Sequence, residues 1–223
     1  MATARDDTGT TTSRRAPSQR RSRERVEKIL DAAERIIVED GADALTTRSC
    51  AARAGVPVAS LYQYFADRDE IVLSLVQRDI AEMDAAVAAA LGRLRTLTVR
   101  SVIEATMRAY VEVYHRRPAF AVVWWRGRTS AAVYEFGREH NRQTAKALYD
   151  LVTTAGLIRP EVDLVIAELA VEVGDRVFQL AFEDDLRGDE RLIAEGIDLV
   201  SAYIDRFATP AGRTGVPGPA ATG

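Results

Sequence analysis

The chain has 223 residues, 47% of them hydrophobic and 28% charged, long enough for one large domain or two small ones with a real core. A net charge of −3 argues at first against a polyanionic partner, and the single Cys50 excludes an intrachain disulfide. No apolar run approaches the roughly 18 residues of a membrane span, and the first 25 residues lack the apolar core of a secretory signal, so a soluble, cytoplasmic protein without a membrane partner is expected.

Distribution matters more than the sum of charge. Residues 14–25, RRAPSQRRSRER, hold six arginines against the one Glu24, a local balance of +5. A nucleic acid feels that local field, because charges beyond about 10 Å are screened at ordinary salt. Residues 1–21 have the polar, small-residue composition of a disordered basic arm, and Arg20, Arg21 and the adjoining Arg23 are candidate phosphate contacts.

From Ser22 the pattern becomes helical. Val26, Ile29, Leu30, Ala33, Ile36 and Ile37 recur at three- and four-residue steps, one buried stripe that Gly41 closes. Thr46 is placed to cap a second helix that runs to about Ala54 and buries Leu45, Cys50, Ala51 and Ala54. Gly55 suits a left-handed turn, and Pro57 pre-sets the first turn of a third helix reaching about Tyr64, with Val56, Leu61 and Phe65 facing in. Asp67 and Glu70 have capping-box spacing. They start a fourth helix, buried through Ile71, Val72, Leu75, Val76 and Ile80, that continues to about Leu94. Two short helices joined by Ala54-Gly55-Val56-Pro57 are the sequence form of a helix-turn-helix, whose second helix enters the DNA major groove. Residues 22–76 therefore form a DNA-binding unit.

Residues 77–208 read as helices throughout. Thr98 to about Arg116 is periodic through Val102, Ile103, Thr106, Met107, Tyr110, Val111 and Tyr114. Pro118 opens an element holding Phe120, Val123, Trp124 and Trp125. Further helices are expected over 130–137, 141–154, 160–184 and from about Gly188 to Phe207. The stripes Val165, Leu169, Val173, Val177, Leu180 and Ile193, Ile197, Val200, Ile204 suit a four-helix dimer interface, although each also suits packing within one chain. The proline- and glycine-rich residues 209–223 read as a disordered tail.

The segment RVEKILDAAERIIVEDGADALTTRSCAARAGVPVASLYQYFADRDEI resembles the DNA-binding head of the tetracycline-repressor (TetR) family of bacterial transcriptional regulators. The resemblance covers about 50 residues, Arg25 to Val76, and rests on Thr46, Ala51, Ala54-Gly55-Val56 and Leu61-Tyr62-x-Tyr64-Phe65 in register. It implies an all-α homodimer with an N-terminal three-helix head and a helical C-terminal domain for ligand sensing and dimerisation. Such a protein is usually a repressor, released from a palindromic DNA operator by a small molecule. Carried over by position, Thr46, Thr47 and Arg48 would sit against phosphate. Pro57, Val58, Ala59, Ser60, Tyr62 and Tyr64 would stand at the groove, and Arg68 replaces the family's usual phosphate-binding lysine. Pro57 lacks the hydroxyl many relatives carry there, and Val58 and Ala59 can touch thymine methyls only.

The family pocket is expected among Met107, Tyr110, Tyr114, Phe120, Trp124, Trp125 and Phe178, for a mostly apolar effector; ordinary core packing is the rival reading of each. No cofactor is expected. A regulator without a ligand, or an activator, is the alternative. An all-helical enzyme has little support: His115 and His140 show no metal-ligand spacing, and phosphate loops, dinucleotide turns and nucleophile elbows are missing.

Overall fold

The structure, a computed structural model, describes residues 15–126 and 130–221. Helix α1 (Arg15–Asp40) is followed by a 3-10 turn (Ala42–Ala44), α2 (Thr47–Ala54), α3 (Val58–Leu61) and α4 (Arg68–Gly92). The C-terminal part holds α5 (Val99–Arg116), α6 (Pro118–Ala121), a π-helical turn (Val122–Arg126), α7 (Ala131–Thr154), α8 (Leu164–Phe182), α9 (Glu190–Asp205) and the short α10 (Pro210–Thr214). Two-residue strands β1 (Thr96–Leu97) and β2 (Val216–Pro217) pair antiparallel.

The head follows the sequence pattern closely. Ile29, Ala33, Ile36 and Ile37 of α1 are buried against Leu45, Cys50, Ala51, Leu61 and Phe65. Thr46 caps α2, its hydroxyl accepting from the Ser49 amide at 3.0 Å. Gly55 ends α2 at φ 63, the left-handed region that glycine enters without strain. Asp67 accepts from the Glu70 amide at 2.9 Å and starts α4.

The remaining differences from the sequence pattern have local causes. Helix α1 begins at Arg15 rather than near Ser22, so residues 15–21 are not a disordered arm; residues 1–14 lie outside the described residues. Arginine and glutamine are good helix formers, and Arg20 pairs with Glu24 at 3.2 Å one turn on. Helix α7 is continuous through Gly137 where two helices were expected. That glycine leaves room for a ring, since a Cβ there would lie 1.7 Å from Trp124.

The expected disordered tail is likewise ordered as far as Ala221, with Thr222 and Gly223 outside the described residues. Thr209 Oγ1 donates to the Gly156 carbonyl at 2.7 Å, and β2 closes on β1. Proline and glycine here make tight turns: a Cβ on Gly212 would lie 1.9 Å from the Leu157 carbonyl oxygen.

One buried cluster runs without a break from α1 through α4 into α5, α6, α8 and α9, so head and body share a core. A smaller cluster of Leu97, Val99, Val102, Leu157, Ile158, Val162 and Ala208 fills the far end.

Head and body are also tied by charge. Arg78 on α4 reaches Asp31 at 2.8 Å and Glu34 at 2.7 Å, both on α1. Arg117, between α5 and α6, holds the same Glu34 at 3.1 Å and Glu82 of α4 at 2.8 Å. Asp79 lies fully buried beneath, 3.2 Å from Arg78. Burial pushes its carboxyl up to about 6 despite the pull of the arginines.

Candidate nucleic-acid interface and ligand cavity

Helix α3 divides its residues cleanly. Leu61 and, one turn later, Phe65 enter the core, while Val58 (38% exposed), Ala59 and Tyr62 (53% exposed) face solvent. Hydrogen bonds from Tyr62 to Val58 and from Phe65 to Leu61 carry helical turns past the end of the regular helix. The Tyr62 and Thr47 hydroxyls meet at 3.1 Å, which fixes the α3 ring against the amino end of α2. Thr46 and Arg48 are exposed beside them, and Pro57 caps α3. Free amides and the helix dipole at the amino end of α2 favour an anion there. Arg20, Arg21 and Arg23 are exposed on the first half of α1.

Three candidates are less free. Ser60 is half-buried. Tyr64 is half-buried and packs on the core. Arg68 donates through Nε to the Leu45 carbonyl and through Nη2 to the Ala42 carbonyl, both at 3.0 Å, and through Nη1 to Asp69 at 3.2 Å. Its guanidinium thus ties α4 to the turn before α2.

In the C-terminal part, a cavity of about 90 Å³ lies between α5, α7, α8 and α9. Met107, Tyr110, Tyr114 and Phe178 line it as expected; Thr106, Asn141, Thr144, Val171, Gly174 and Asp175 were not foreseen. Trp124 and Trp125 line an adjoining mouth of about 510 Å³, which shares Asn141 and Asp175 with the cavity. Phe120 lines neither: it stacks on Tyr114 at 5.7 Å and on Trp124 at 5.5 Å.

Tyr114 is the hub, its ring 5.3 Å from Phe178 and from Phe182 and 4.9 Å from Trp125. The Tyr110 and Thr144 hydroxyls each lie 3.3 Å from His140 Nε2. Burial lowers the His140 imidazole against the pull of Asp84, and pushes the Tyr110 phenol up to about 12. His115 is taken up by the Arg187 carbonyl at 2.7 Å. Among the described residues no group of three His, Cys, Asp or Glu is arranged to hold a metal ion, and no helix is long and apolar enough to cross a membrane.

The expected dimer stripes divide. Ile193, Ile197 and Val200 of α9 are buried within their own chain. Its outward face instead carries Leu192 and Leu199, beside the exposed Val165, Leu169 and Leu180 of α8. Ile204 and the α8 residues Val173 and Val177 are half-buried. An α9 stripe read from spacing alone does not reveal which of its sides α5 and α8 will cover.

Residues 29–75 match the family model of bacterial regulatory proteins, tetR family, and residues 98–204 match that of the tetracyclin repressor-like C-terminal domain. The HTH-type transcriptional repressor KstR of Mycobacterium tuberculosis is 35% identical over 105 residues, 40% of this chain and 48% of that protein. The chain thus spans about half the length of that curated relative. A TetR-family transcriptional regulator from Streptomyces coelicolor has a similar structure: 29% identity, TM-score 0.67, covering 82% of this chain and 99% of that one. The fatty acid degradation regulator FadR of Bacillus halodurans shares the fold, with 18% identity and TM-score 0.66 over 79% of this chain and 94% of that one.

Proposed function

The chain belongs to the tetR family of bacterial regulatory proteins, and from that premise we propose that it is a dimeric, DNA-binding transcriptional repressor of the cytoplasm that a small molecule releases from its operator. The carrying observation is the outward face of α3. Val58, Ala59 and Tyr62 stand exposed beside the capped amino end of α2, while Leu61 and Phe65 anchor the helix from behind. Apolar side chains in a major groove read thymine methyls, and phosphate contacts at Thr46, Thr47 and Arg48 fix register. Arg20, Arg21 and Arg23 add charge that a salt titration reads.

A single short helix gives little specificity. Two heads about 34 Å apart reach successive major grooves of a palindrome. The exposed leucines of α8 and α9 supply the pairing surface, in the four-helix arrangement of many helical dimers. Release follows if the effector binds a head spacing unsuited to DNA more tightly than the DNA-bound one. The path for that shift runs from Tyr114 in the cavity wall, three residues along the chain to Arg117, and across to Glu34 in the head. An enzymatic role finds no support in the placement of either histidine.

The test is a gel-shift titration against fragments selected by the protein from genomic DNA. Tyr62→Ala and Arg48→Ala are expected to weaken binding about tenfold each, in line with about 1–3 kcal/mol per lost contact, with helix content unchanged by circular dichroism. Undiminished affinity in both variants would refute α3 and α2 as the reading face. Because Arg68 already serves the head, Arg68→Ala is expected to lower head stability as well as affinity.

A further inference from the structure

The cavity-lining face of α8 carries one charge, the half-buried Asp175. Val171, Gly174, Asp175 and Phe178 turn toward the cavity at three- and four-residue spacing, and all but Asp175 are apolar or bare. A carboxylate removed from water is costly unless it is paired. Among the described residues Asp175 makes no ion pair: burial and the like-charged Glu172 push its carboxyl up, against a hydrogen bond from the Trp124 indole. Tyr110 and Tyr114 of α5 line the cavity across from it, and Phe178 lies one turn along α8. An anionic oxygen at the edge of an aromatic box is the recognition chemistry of an organic ammonium, attracted by both the carboxylate and the ring quadrupoles.

The mouth continues the theme. Glu168 and Glu172 precede Asp175 along the same side of α8, with Trp124, Trp125 and Tyr134 around them. Among the described residues the mouth holds two cations, each with a partner on α7: Arg142 with Glu139 at 3.2 Å and Arg138 over the Tyr134 ring at 5.9 Å. The cavity between the helices, about 90 Å³, falls short of the roughly 300–1,000 Å³ of ordinary ligand sites. The effector therefore occupies the mouth as well and crosses at Asp175, the side chain that both spaces share with Asn141.

We propose that the effector is an organic cation, a protonated amine on an apolar or aromatic body, whose ammonium pairs with Asp175 while the body lies against Tyr110, Tyr114 and Phe178. The proposal rests on the repressor reading for the word effector, but its test uses no DNA, so the two fail separately.

Trp124 and Trp125 are the chain's two tryptophans, and both line the mouth, so intrinsic fluorescence reports on the site directly. The probes are 2-phenylethylamine, 2-phenylethanol and 3-phenylpropionate, which share a body and differ in charge. Saturable binding is expected for the amine, with the alcohol and the carboxylate about thirtyfold or more weaker, the usual loss when one member of a buried charge pair is removed. Asp175→Asn is expected to reduce the amine to the affinity of the alcohol and to leave the alcohol unchanged. An unaltered melting temperature, or a raised one, shows that this variant folds. Equal binding of the three probes, preference for the carboxylate, no saturable response to the amine, or an amine affinity untouched in Asp175→Asn each overturns the proposal.

Discussion

At the scale of single residues, burial decides chemistry. Cys50 has no exposure, its thiol donates to the Ile29 carbonyl at 3.4 Å, and burial pushes it up to about 11. Since the thiolate is the reactive form, a disulfide-exchange reagent at mildly alkaline pH is expected to label Cys50 only as fast as the head unfolds. Rapid labelling of the folded protein would contradict its place in the core. Asp79 carries the opposite lesson about charge. Its carboxyl is raised from 3.8 to about 6, so the folded chain holds a proton that the unfolded chain releases across that window. The stability it contributes is present below the ordinary carboxylate range and is lost as pH rises through about 6. Urea midpoints measured over this range should fall less steeply with rising pH in Asp79→Asn. Local roles such as the Thr46 cap and the Gly55 turn were legible because their partners lie within a few residues. The tie of Arg68 to Ala42 and Leu45 was not, nor was the setting of Asp175, which α5 and α7 complete from far along the chain.

Among the elements, α2 and the ends of α1 and α4 were legible to within about two residues, because each buries one stripe and carries sequence-local stops, whereas α1 starts seven residues early and α3 ends at Leu61 rather than Tyr64. The outline of α7 was missed at Gly137, where glycine makes space for Trp124 rather than ending a helix. Gly137→Ala is accordingly expected to cost about 1–3 kcal/mol by overpacking, seen in thermal unfolding, against the small gain that alanine brings to an open helix. The junction of α1, α4 and α5 depends on paired charge. Arg78 is largely buried, and Arg78→Met leaves Glu34 and Asp79 short of a partner. A loss of about 3–5 kcal/mol is expected from breaking such a cluster on one side. Adding Asp79→Asn to that variant should recover part of it; no recovery would mean that Asp79 does not feel Arg78.

For the whole molecule, the predicted fold class holds, while residues 15–21 and 209–221 carry more regular structure than composition implied. Leu169 and Leu199, the latter 57% exposed, lie on the proposed pairing face. Leu169→Glu with Leu199→Glu is expected to halve the mass seen in analytical ultracentrifugation and to weaken operator binding with it, at unchanged helix content. A dimer that survives both charges would move the interface elsewhere. The short β1–β2 ladder has its own bearing on how such a protein can be studied. Ala220 donates to the Leu94 carbonyl, beyond the last turn of α4. At 1.5 Å per residue the 25 residues of that helix span about 37 Å. A dye or immobilising handle attached next to Ala220 therefore sits at the opposite pole from the surface that would grip duplex, where it can follow the tilt of the body without standing in the way of the DNA.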